Sequence, residues 1–147
     1  MKLLVYTFRT FPHSHKLEDI FGTVFVFDKI KDGLIKFENL ILKNQPNLIL
    51  GVAKSNYKFS VFEPKAINQF HKKGRVSKNE KFEYPLFVPH INNSVFKVSN
   101  KPTDSYCNYT IFKIAEFLES ESLNIVKFSF VHILPKDIEA LTSLNLT

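Results

Sequence analysis

The sequence reads as an α/β protein: a single three-layer α/β/α domain over residues 1–147, built on a twisted, mostly parallel sheet. Three observations predict it. Short apolar runs of strand length alternate with segments of helical spacing, the pattern of β–α–β units. Asn47-Leu48-Ile49-Leu50-Gly51-Val52 is almost continuously apolar, as a parallel strand covered on both faces must be. The chain has 147 residues, 44% of them hydrophobic and sixteen of them phenylalanine, enough for one substantial core.

The elements follow in order. Leu3-Leu4-Val5-Tyr6-Thr7-Phe8 is the first strand, and the polar stretch from Arg9 to Lys16, with Pro12, reads as a loop. Thr23-Val24-Phe25-Val26-Phe27 is β-branched and aromatic, a second strand. Ile30, Leu34, Phe37, Leu40 and Ile41 repeat at helical spacing, with Gly33 a weak point and Asn44-Gln45-Pro46 the stop. The apolar run ending at Val52 completes a right-handed β–α–β unit. Phe59-Ser60-Val61-Phe62 is a weaker strand ended by Glu63-Pro64, and Gln69 to Tyr84 is a polar, basic excursion. Val95-Phe96-Lys97-Val98 is another strand. From Cys107, the residues Ile111, Ile114, Ala115 and Leu118 share one helical face. Asn124 to Val131 alternates as a strand. Pro135 to Leu141 is a short last helix with proline in its first turn.

Composition narrows the function classes. The single cysteine excludes an internal disulfide and fits a reducing, cytoplasmic setting. The first residues lack the long apolar stretch and cleavage site of a signal peptide, and no apolar run approaches the ~20 residues of a membrane span. The formal net charge is +6, concentrated at Lys54, Lys58, Lys65, Lys72, Lys73, Arg75, Lys78 and Lys81. That run lacks the interleaved aromatics of an RNA platform and any helix-turn-helix pattern. It reads as a solvated loop rather than a nucleic-acid surface. The five histidines have no metal-ligand spacing beyond His13-x-His15, so neither metal nor other cofactor is expected.

Cys107 opens a helical pattern, where the positive end of the helix dipole favours thiolate. His132, at the end of a strand pattern, can serve as its base. Taken singly, each has an ordinary reading: a small buried thiol, a strand-end histidine, a strand-end glutamate at Glu63.

Three segments together resemble pyroglutamyl peptidase I, the pyrrolidone-carboxylate peptidases, cysteine enzymes that remove an N-terminal pyroglutamate. Phe62-Glu63-Pro64-Lys65-Ala66-Ile67-Asn68 is similar to the segment carrying that family's catalytic glutamate. Tyr106-Cys107-Asn108-Tyr109 is similar to its nucleophile segment. Phe130-Val131-His132, followed by Pro135, is similar to its histidine segment. Thr7-Phe8-Arg9-Thr10-Phe11 resembles the loop after the first strand, whose two phenylalanines hold the pyrrolidone ring.

The resemblance implies a catalytic triad of Cys107, His132 and Glu63. It implies Phe8 and Phe11 as substrate-binding rings, partly exposed without ligand, and the stretch from about Val52 to Tyr57 as another part of that pocket. Lys73 or Arg75 is implied as an oxyanion-binding side chain. It further implies a pyroglutamylated peptide as substrate and a homo-oligomer as the assembly. The chain is trimmed against the family. Arg9 to Gly22 is too short for a loop and a full helix, Pro89 to Ser94 has no room for one, and the long C-terminal helix is absent. Lys101-Pro102-Thr103 replaces a run of small residues before the nucleophile. A non-catalytic relative that kept the pocket and lost turnover is the alternative reading.

Overall fold

The computed structural model describes residues 2–71, 74–92, 94–103 and 105–144. Strand β1 (Leu3–Phe8) leads into helix α1 (Ser14–Phe21), strand β2 (Val24–Phe27) and helix α2 (Ile30–Asn44). Strand β3 (Leu48–Lys54) is followed by four strands of three residues: β4 (Ser60–Phe62), β5 (Lys65–Ile67), β6 (Glu83–Pro85) and β7 (Phe96–Val98). Helix α3 (Tyr106–Ser120), strand β8 (Lys127–Ile133) and a 3-10 helix (Pro135–Ser143) complete the described chain.

Six strands form one sheet in the order β2-β1-β3-β8-β4-β7, and β5 pairs with β6 as a separate ribbon. β2, β1, β3 and β8 are mutually parallel. β4 runs antiparallel to β8, and β7 runs parallel to β4. The sheet is therefore mostly parallel, as the continuous apolar strands predict, with a reversed edge.

Alternation of side chains along each strand divides the core in two. Tyr6, Phe8, Ile49, Phe128 and Phe130 face one side, where α2 and α3 pack through Leu34, Phe37, Ile41, Ile111, Phe112 and Ile114. Val5, Leu50, Val52, Phe62, Val131 and Ile133 face the other, covered by Leu17 of α1 and by Ile138 and Leu141 of the 3-10 helix. This is the three-layer arrangement.

Gly33, the weak point of the α2 pattern, has a packing role. A Cβ there would stand 2.5 Å from the ring of Phe27, so the bare backbone lets α2 lie against β2.

The stretch after β1 departs from the sequence reading. Part of the segment read as loop forms α1, a helix of eight residues. Only Leu17 of it is fully buried, and its start has no side-chain cap, so it carries little of the periodic signal by which a helix is recognised. The ribbon β5–β6 is a second difference. It lies at either end of the polar excursion, where no alternation marks a strand.

Candidate active site

Strand parity assembles the site. In the antiparallel pairing of β4 with β8, Val61 lies opposite His132 and Phe62 opposite Val131. The next residue, Glu63, donates its N–H to the Phe130 carbonyl at 3.0 Å. Phe130 and His132 are two residues apart on β8, and Glu63 stands across from Phe130, so all three project toward the α3 layer. There the Glu63 Oε1 and His132 Nδ1 are 3.1 Å apart. Both side chains are enclosed, with Glu63 2% and His132 7% exposed.

The sulfur arrives from the other layer. Cys107 is the second residue of α3 and is half-buried. Asn108 fixes the helix start: its Oδ1 accepts the Ile67 N–H at 2.9 Å, and its Nδ2 donates to the carbonyls of Ile67 at 2.8 Å and Gln69 at 3.0 Å. α3 is thus stapled to the strand that leaves Glu63. Asn68 holds the excursion in turn, its Nδ2 donating to the carbonyls of Ser77, Asn79 and Lys81. The Asn108 and Asn68 of the sequence motifs are therefore scaffold.

The electrostatics of His132 reflect its two neighbours. Burial alone would lower its pKa. Hydrogen-bond and charge interactions with Cys107 and then Glu63 outweigh burial and raise the pKa to about 9. Both neighbours thus favour the cationic form of the imidazole.

Cys107 opens into a cleft of about 870 Å³ at the carboxyl ends of β1, β2 and β3. Phe8, Phe27, Ile30 and Tyr106 supply its apolar walls, and Arg9, Asp28, Lys54 and Asn56 its polar rim. Arg9 pairs with Asp28 at 2.9 Å. The ring of Tyr57 stands edge-on to His132, with centroids 6.3 Å apart. The N-cap residue of α3, Ser105, gives no side-chain cap, and its hydroxyl lies 3.2 Å from that of Thr103 instead. The N–H groups of the first turn, including that of Cys107, are thus left without that partner.

The structure brings Glu63, His132, Cys107 and Phe8 together. It does not bring the other expected residues with them. Phe11 packs in the opposite layer, against α1, and does not line the cleft. The cause is a tight turn in which the Phe11 N–H donates to the Phe8 carbonyl at 2.8 Å, reversing the chain across the sheet edge. Both rings are also more enclosed than expected, Phe8 at 8% and Phe11 at 4% exposure.

Arg75 does not line the cleft either, because its guanidinium bonds the Asn79 carbonyl within the excursion. Asn79 is itself bound to Glu116, more than two turns along α3 from the sulfur. Lys73 lies outside the described residues. Of the remaining basic run, Lys65 pairs with Glu83, and Lys81 with Glu119. Among the described residues, no group of three or more His, Cys, Asp or Glu is placed to hold a metal, and no helix is long and apolar enough to cross a membrane.

Lys54 and Tyr57 fall in the stretch Val52 to Tyr57 that the resemblance implies for the pocket, and Tyr106 in the nucleophile segment, but none of the three was singled out. Each adjoins a recognised element, Lys54 at the end of the apolar run and Tyr106 directly before Cys107. Nothing in spacing alone separates them from ordinary surface residues.

No protein-family model and no curated protein matches this chain. Solved structures do. Pyroglutamyl peptidase I of Bacillus amyloliquefaciens superposes with a TM-score of 0.74 at 15% identity, over 97% of this chain and 92% of that one. The pyrrolidone carboxyl peptidase of Thermococcus litoralis gives 0.70 at 16% identity, over 92% and 79%. A mutant pyrrolidone carboxyl peptidase of Pyrococcus furiosus gives 0.67 at 14%, over 97% and 86%. Over more than nine-tenths of its length this chain has the fold of the pyroglutamyl peptidases.

Proposed function

We propose that this protein is a cysteine peptidase that removes an N-terminal pyroglutamyl residue from peptides. The observation that carries the reading is the buried Glu63–His132 hydrogen bond set beside the half-buried Cys107, at the mouth of an aromatic cleft. In the proposed scheme Cys107 and His132 form a thiolate–imidazolium pair, and Glu63 orients the ring and stabilises its charge. The pyroglutamyl ring is a small lactam with apolar faces, suited to lie against Phe8 and Tyr106. The sulfur attacks the carbonyl carbon, and His132 gives its proton to the departing amine, leaving a thioester. His132 then takes a proton from water, whose oxygen attacks the thioester and releases pyroglutamate, restoring the Cys107 thiolate beside the His132 imidazolium. The oxyanion of each step falls to the Cys107 N–H, with Lys54 the cleft-lining cation nearest in role to the expected Lys73 or Arg75.

The test is release of a fluorescent amine from its pyroglutamyl conjugate. Wild-type protein is expected to release it, and Cys107→Ala to lose the activity by several orders of magnitude. Equal release by both proteins removes Cys107 from the mechanism. A second reading, a relative that binds without turnover, is favoured by the absence of Phe11 and Arg75 from the cleft. No release by wild type, together with binding of pyroglutamate, would establish it.

A further inference from the structure

A second groove opens on the far side of the histidine strand. The cleft that Cys107 opens into lies at the ends of β1, β2 and β3, and the sheet continues from there through β8 to β4 and β7. A groove of about 800 Å³ lies over β4 and β7. Tyr57, Phe59, Val61 and Val98 form its apolar surface, and Lys97 and Lys101 are its cations. Tyr57, Phe59 and Val98 are 48%, 51% and 42% exposed. Among the described residues that line the groove there is no carboxylate. Exposed apolar patches rimmed by polar groups mark interaction sites.

Strand register ties this groove to the site. Val61 pairs with His132 on one side and with Lys97 on the other. The three therefore share one face of the sheet, in a row that starts at the histidine. Two strand spacings, about 10 Å, separate the ends of that row, the reach of about three extended residues. The Tyr57 ring that stands edge-on to His132 belongs to the groove, and Asn56 before it belongs to the cleft. The loop from Ser99 to Thr103 walls the groove and leads to the start of α3, where the Thr103 and Ser105 hydroxyls meet. Groove and cleft thus flank His132 and Cys107 from opposite sides.

We propose that the groove holds the part of the substrate that follows the pyroglutamyl residue, and that it selects an aromatic or large apolar residue first and acidic residues after it. In the scheme above His132 protonates the departing amine. That puts the leaving peptide beside His132 and the pyroglutamyl ring across from it in the cleft. The first side chain then lies against Tyr57, Phe59 and Val61. The next two positions come within reach of Lys101 and of Lys97, whose ammonium stands 5.6 Å from the centre of the Phe59 ring. Carboxylates are the groups these cations attract, and lysines in the peptide are the groups they repel.

The proposal rests on the peptidase reading for the direction of the bound peptide, and its test reads binding so that the two can fail separately. Affinities of Cys107→Ala for pyroglutamyl-Phe-Asp-Asp-amide and pyroglutamyl-Phe-Lys-Lys-amide are measured by calorimetry, with and without the added pair Lys97→Glu and Lys101→Glu. Both lysines are exposed, so the pair changes charge rather than packing. The acidic peptide is expected to bind roughly tenfold more tightly than the basic one, and the charge reversal to invert that order. Glycine in place of the peptide's phenylalanine should weaken binding roughly tenfold, and Phe59→Ala should shrink that difference. Equal affinity for the acidic and basic peptides, an order that charge reversal leaves unchanged, indifference to phenylalanine against glycine, or binding of neither peptide would each overturn the proposal. If wild type releases no amine from the pyroglutamyl conjugate while the charge order holds in binding, the peptidase reading falls and the groove stands as a peptide site. Release of the amine with no charge order in binding refutes the groove alone.

Discussion

The parallel half of the sheet and the segment from residues 60 to 98 are held by different forces. β1, β3 and β8 run for six or seven residues and are buried along most of their length. They align because a one-residue slip would turn every apolar side chain to the wrong layer. β4, β5, β6 and β7 have three residues each, too few to specify register by burial. Polar side chains locate this segment instead. Asn68 and Asn108 bond its backbone, the Ser129 hydroxyl donates to the Phe87 carbonyl at 2.6 Å, and the Ser60 hydroxyl donates to Asp137 at 2.7 Å. The candidate triad takes His132 from the first region, Glu63 from the edge of the second, and Cys107 from the helix pinned to the second. Apolar packing supplies stability, and a few amide bonds supply the alignment.

The comparison predicts effects of graded size. Phe37, fully buried on α2, belongs to the apolar region. Phe37→Ala should cost about 3–5 kcal/mol in urea unfolding, and a loss below about 1 kcal/mol would mean that this layer does not carry the stability. Asn108→Ala should cost less, about 1–3 kcal/mol, mostly from leaving the enclosed Ile67 N–H unpaired. It should nevertheless slow Cys107 alkylation, because the helix start loses its tether to the strand beside Glu63. Unaltered alkylation in that variant would show that packing alone positions the sulfur.

A further effect is one of pH. With the His132 pKa raised to about 9 from 6.5, its contribution to stability is complete below about pH 6.5 and is lost as pH rises through 9. An NMR titration of the His132 ring should give a midpoint near 9, falling in Cys107→Ala, where the largest raising interaction is gone. The same midpoint in both proteins would separate the sulfur from the imidazole.

Legibility follows the same division. The long strands and the helices after β2 and before β8 were readable, because each is strongly patterned, whereas Glu63, Cys107 and His132 became candidates only through the resemblance of their segments. Helix α1 and the β5–β6 ribbon were not, since one buries a single leucine completely and the other lies in polar sequence. Phe11 shows the limit most plainly. Its segment matches the ring-binding loop at both phenylalanines, yet one turn hydrogen bond to Phe8 sends it to the other layer. Arg75 shows it for charge, its guanidinium engaged by the Asn79 carbonyl away from the cleft.

By itself the sequence determined the fold class and the strand faces, because periodicity is a property of neighbours along the chain, and it offered Cys107, His132 and Glu63 as candidates through a resemblance of short segments. Tertiary structure alone decided which aromatic and cationic side chains meet that sulfur. Phe8, Tyr106 and Lys54 line its cleft and Phe11 and Arg75 do not. Those relations depend on the register between strands and on single turns and amide bonds linking residues far apart in sequence, 69 positions for Glu63 and His132, and such distances leave no local pattern to read.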